Sequence, residues 1–119
     1  MPMKVTITLT RDAEKIRIRD RYRNDRVLFE GENLPAWKKI SLDQVTTTGS
    51  PRRVGKLQIT AKVKNDRDEW ELRDEPLTVT GGWHEWPPTG GMVQLIRMLV
   101  ELPEIPDPAK SGQEPGRSR

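Results

Sequence analysis

The chain has 119 residues, 33% apolar and 33% charged, with 21 Lys or Arg against 18 Asp or Glu and a net charge of +3. That length suits one domain rather than two, and so low an apolar share predicts a small core. With no cysteine in the chain, disulfides, thiolate metal sites and cysteine nucleophiles are excluded.

MPMKVTITLT lacks the basic start and continuous apolar run of a signal peptide. No stretch approaches the roughly 20 apolar residues of a membrane span. The expectation is a soluble, cytoplasmic protein without membrane contact. The charge is unevenly divided: residues 1–64 carry 15 Lys or Arg and 7 Asp or Glu, whereas residues 65–104 carry 3 and 9. Such a division marks either a binding face or two segments that pair across a sheet. The second is the default expectation.

In KVTITLT, Val5, Ile7 and Leu9 alternate with threonines, the pattern of a strand with one buried face. Residues 11–13 make a turn. KIRIRDRYR (15–23) alternates again, with Ile16 and Ile18 inward. Asn24–Asp25 signals a turn, and VLFEG (27–31) is the return strand. Pro35 and the Gly49–Ser50–Pro51 cluster punctuate the next stretch, where a helical turn near 35–39 and a short strand near 40–46 are expected. In KLQITAKVK (56–64), Leu57, Ile59, Ala61 and Val63 face one way and polar residues the other. NDRD (65–68) turns into EWELR (69–73), where Trp70 and Leu72 continue the alternation. LTVT (77–80) follows Pro76 as an edge strand.

GGWHEWPPTGG (81–91) reads as a loop, because glycine pairs bracket it and Pro87–Pro88 interrupt it. In MVQLIRMLVEL (92–102), Gln94, Arg97 and Glu101 fall at i, i+3 and i+7, which predicts one mostly buried helix. A short apolar run is also compatible with a strand. The residues beyond Pro103 offer little to bury, and 105–119 is expected to be a flexible tail.

The expected fold is all-β: a small antiparallel sandwich or partly open barrel of about six strands over residues 1–104, closed by the C-terminal helix. The expected core is Val5, Ile7, Leu9, Ile16, Ile18, Phe29, Leu57, Ile59, Val63, Trp70, Leu72, Val79, Leu95 and Leu99.

Little in the chain suits catalysis. The single histidine, His84, has no serine in a nucleophile-elbow setting and no ligand at zinc-helix spacing. No phosphate-binding glycine motif occurs. The carboxylate pairs lie in turns, where a shifted pKa is not expected. No cofactor, metal or small-molecule substrate is expected, and neither is an enzyme. Two binding features stand out. Trp83, His84 and Trp86 would form a protein-binding loop, since exposed tryptophans concentrate at interfaces; the plainer alternative folds a tryptophan back over the core. Lys15, Arg17, Arg19, Arg21 and Arg23 would project from one strand face over about 27 Å, with Arg52, Arg53, Lys38 and Lys39 able to extend the row. That row would track phosphates, unless it is a solvated face neutralised by Glu30, Glu32 and Asp12.

The leading expectation is a binding protein whose partner is another protein or a second copy, serving as an accessory, assembly or inhibitory subunit. The alternative is a nucleic-acid-binding module.

Overall fold

The computed structural model describes residues 2–49, 53–88 and 93–102. Among the described residues there are eight strands: β1 (Met3–Leu9), β2 (Ala13–Asp20), β3 (Arg26–Leu34), β4 (Lys39–Val45), β5 (Gly55–Lys64), β6 (Trp70–Val79), β7 (Gly82–Trp86) and β8 (Ile96–Glu101). They form two antiparallel four-stranded sheets. Sheet A has the order β4-β1-β8-β7 and sheet B the order β3-β2-β5-β6. Their apolar faces share one core, built from Val5, Ile7 and Met98 on sheet A and Ile16, Ile18, Leu57 and Ile59 on sheet B, among others. No described residue is helical, so no helix there is long and apolar enough to cross a membrane.

Period-two patterning is realised most fully in β1 and β5, where every second side chain is buried. The β2–β3 hairpin closes through Arg26 N donating to Arg23 O at 3.0 Å. Asn24 and Asp25 both take positive φ there, which short polar side chains tolerate. Beyond it, Gly31 leaves room for an aromatic ring. A Cβ at Gly31 would stand 3.0 Å from the Phe29 ring.

Two buried polar side chains organise opposite ends. Asp20 accepts from Tyr22 N at 3.1 Å and Thr46 N at 2.9 Å, tying the β2–β3 turn to the chain leaving β4. Asn65 accepts from Arg67 N at 2.9 Å and Glu69 N at 3.0 Å and so shapes the β5–β6 turn. Both carry their own partners, as buried polar groups must.

Several expectations are corrected. The described strands number eight rather than about six, and EWELR and LTVT belong to one strand that runs through Pro76. Ile96–Glu101 is a strand, not part of a helix: it lies between β1 and β7 and bonds to both. Sandwiched on two edges and apolar on its core side, it reads as a continuous apolar run. Gly82–Trp86 is a strand rather than a loop: Gly82 itself pairs with Val100 of β8, and the prolines follow the strand without entering its pairing. Around residues 35–39 there is a hydrogen-bonded turn, Lys38 N to Pro35 O at 3.2 Å, and no helical turn. Trp70, Leu72 and Leu99 lie outside the core, and Phe29 only packs against its margin. Met92 and the tail at 105–119 fall outside the described residues.

Candidate functional site

The outer faces of the two sheets differ in chemistry. On sheet A, register aligns Ser41, Thr6, Leu99 and Trp83 in one row across β4, β1, β8 and β7. Lys39, Thr8, Arg97 and Glu85 form the next row. On the other side lie Lys4 and Glu101, cross-strand partners, with the exposed Asp43 beyond them on β4. Trp83 is 66% exposed. Among the described residues of this face, only Leu99, half-buried beside it, shares its apolar character.

The three residues expected to form one protein-binding loop are separated by strand alternation. Trp83 points out, whereas His84 and Trp86 point to the core side. His84 is half-buried, its Nε2 3.0 Å from Thr80 O. Trp86 is 0% exposed, and its Nε1 donates to Glu75 O at 3.4 Å, linking the facing edges of the two sheets. The expected site thus reduces to Trp83, with one tryptophan folded back over the core.

The basic row is also shorter than expected. β2 ends at Asp20, so Lys15, Arg17 and Arg19 project from the strand while Arg21 and Arg23 lie in the turn. The outward face of sheet B interlocks cations and carboxylates. Arg17 Nε donates to Glu30 Oε2 at 2.5 Å, Lys62 meets Glu14 at 3.2 Å, and Lys64 meets Asp68 at 3.1 Å. Arg21 lies 3.8 Å from Asp25. Asp74 accepts from Gln58 and Thr60, and those bonds, helped by the nearby Arg19 charge, hold its carboxyl below the usual range. A shallow depression of about 620 Å³ opens over this face, where Lys15, Arg17 and Lys62 stand among Glu30, Glu32 and Leu72. Its three cations stand among two carboxylates, so most of its positive charge is offset and the residual field is weak.

Arg53 precedes β5 at the end of the sandwich that holds the Arg21–Arg23 turn. Lys39 belongs to the outer face of sheet A, so it does not extend the row. Arg52 lies outside the described residues. Among the described residues no three His, Asp or Glu side chains gather closely enough to hold a metal ion.

The sequence reading missed three exposed apolar residues. Trp37 is 68% exposed at the β3–β4 turn, Trp70 is 44% exposed and Leu72 is 78% exposed on the outer face of β6. The ammonium of Lys64 lies 5.2 Å from the Trp70 ring centroid and partly covers it. The signal for Trp37 was Pro35 two residues earlier, which places it in a turn. Nothing in EWELR says which parity faces out. No protein-family model, curated protein or solved structure matches the chain.

Proposed function

We propose that the protein is a non-catalytic binding module that works by protein–protein contact, through the outer face of sheet A centred on Trp83. The carrying observation is the exposure of Trp83 on a regular strand, paired with Leu99, in a row otherwise made of Thr6 and Ser41. A chain this poor in apolar residues gains stability from each large side chain it buries, yet it leaves this one in water. Tryptophan supplies large contact area with little entropy to lose, which suits an interface anchor. An accessory, assembly or inhibitory subunit needs only such a surface. On sheet B, Arg17, Lys62 and Lys64 each spend their charge on a neighbouring carboxylate, which favours the protein-binding reading over nucleic-acid binding.

The test places a benzophenone photocross-linking residue at position 83, and in a second protein at position 70, in the cells that make the chain. Covalent capture of one identified protein species at 83 and not at 70 is the expected result. Absence of any adduct at 83 overturns the reading. Nucleic-acid binding that weakens with salt at a log–log slope of about −0.7 to −0.9 per phosphate contact, and that Arg17→Glu/Arg19→Glu abolishes, would replace it.

A further inference from the structure

We infer that the occupant of the sheet A face is a second copy of the same chain, related by a two-fold axis running across the strands along the row Ser41–Thr6–Leu99–Trp83. This inference rests on the reading of that face as a protein-contact surface.

The argument is self-complementarity. β8 presents Arg97, Leu99 and Glu101 outward, and β4 presents Lys39, Ser41 and Asp43. Each strand therefore carries a cation two residues before the central row and an acid two residues after it, and on β4 that acid sits at a bulge where Asp43 and Gln44 together lie opposite Lys4. Both strands run antiparallel to β1, so the two cations fall at one end of the face and the two acids at the other. A two-fold axis along the central row turns the other copy end for end. Arg97 then faces Glu101 of the other copy, and Lys39 faces Asp43. Each pairing occurs twice. Trp83 meets Trp83 and Leu99 meets Leu99, so apolar surface lies on apolar surface. Lys4 faces Thr8, and Glu85 faces the backbone of Gly81. No directly facing positions carry like charge. Polar complementarity of this kind sets register and discriminates against wrong partners.

A two-fold parallel to the strands would instead lay Trp83 on Ser41 and Leu99 on Thr6, burying apolar groups against hydroxyls. The crosswise axis is favoured for that reason. The footprint bounds the strength. Four strands spaced about 4.8 Å apart and five residues rising about 3.4 Å each cover roughly 300 Å² per copy. That belongs with small, transient interfaces, so the dimer should dissociate on dilution.

Sedimentation velocity on the full chain, over a wide concentration range reaching the millimolar, reads the equilibrium. The wild-type chain is expected to move from monomer to dimer. Arg97→Glu alone and Glu101→Arg alone should each raise the dissociation constant about tenfold or more, and the double exchange should restore it to within a few-fold. Leu99→Glu should abolish the dimer. Melting curves recorded alongside check that each variant is folded. Lys39→Glu, Asp43→Lys and their combination form a second cycle on exposed β4 residues, for use if a β8 variant fails to fold. A chain that stays monomeric throughout overturns the inference, as does a dimer insensitive to the single reversals or not rescued by the exchange. If position 83 nevertheless cross-links to a different protein, the binding reading survives and only the identity of the partner fails.

Discussion

β6 and β7 are the facing edge strands of the two sheets, and they use their side chains in opposite ways. β7 turns Trp86 inward and leaves Trp83 and Glu85 outside. The first half of β6 turns Glu71, Arg73 and Glu75 toward the sandwich and leaves Trp70 and Leu72 outside. Both strands alternate faithfully. Alternation therefore shows that a strand has two faces, and neighbours decide which face is buried. On β6 the inward charges are bridged by one cation: Arg73 Nε donates to Glu71 at 2.5 Å and its Nη1 to Glu75 at 2.8 Å. Inward charges and a proline are devices that keep an edge strand from pairing with another chain, and β6 carries both, with Pro76 in its second half. The protected edge belongs to sheet B. The face proposed for a partner belongs to sheet A.

The sharpest way to break this contrast is to delete the two tryptophans in turn. Trp86→Ala removes a fully buried ring and should cost about 3–5 kcal/mol, enough to threaten a marginal fold. Trp70→Ala removes a ring that is 44% exposed, and should cost under about 1 kcal/mol. Urea unfolding followed by circular dichroism measures both. Equal losses would show that the two edges are not used differently.

Next in size is Arg73→Ala. It leaves Glu71 and Glu75, each less than a third exposed, with a lost partner and a mutual repulsion. The expected cost is about 1–3 kcal/mol. Arg17→Ala removes an ion pair whose two side chains are both more than half exposed, and should cost under about 0.5 kcal/mol. If the two losses match, the inward charges of β6 are no more than surface pairs.

The same cluster sets a pH dependence. Bonds from Arg73 first, and Asn65 second, hold the Glu71 carboxyl below the usual glutamate range. A depressed folded pKa adds stability that is present above the unfolded value and disappears as pH falls through the folded one. The wild-type chain should thus lose its advantage over Glu71→Gln as pH drops from about 4 downward. A difference in urea midpoint that stays constant between neutral and acid pH would show that Glu71 is not held in its charged form.

How much of this was legible in the residues follows from burial. β1 and β5 were legible because one face of each is apolar and the other polar. β8 was not. Its inner residues Ile96, Met98 and Val100 are interleaved with the half-buried Leu99, so its period blurs, and Gln94, Arg97 and Glu101 happen to fall on a helical spacing. β7 was hidden by Gly81–Gly82 at its start and Pro87–Pro88 after it. Gly82, at φ 100, opens the strand and still pairs with Val100. The face carrying Trp83 could not be foreseen, because its row is assembled from residues 6, 41, 83 and 99 by pairings between distant segments.

The smallest expected effect tests parity itself. Leu72 and Leu77 both lie on β6, five residues apart and therefore on opposite faces. Leu72 is 78% exposed and Leu77 5%. Replacing a buried leucine with threonine loses apolar contact and buries a hydroxyl, so Leu77→Thr should cost about 2 kcal/mol or more. Leu72→Thr should shift stability by no more than about 0.5 kcal/mol in either direction, since threonine suits a strand and the leucine has little contact to lose. A large loss at position 72 would mean that the outward side of β6 is covered in solution. The depression between Leu72 and Lys62 would then be a second contact surface, and the contrast between the two edges would have to be redrawn.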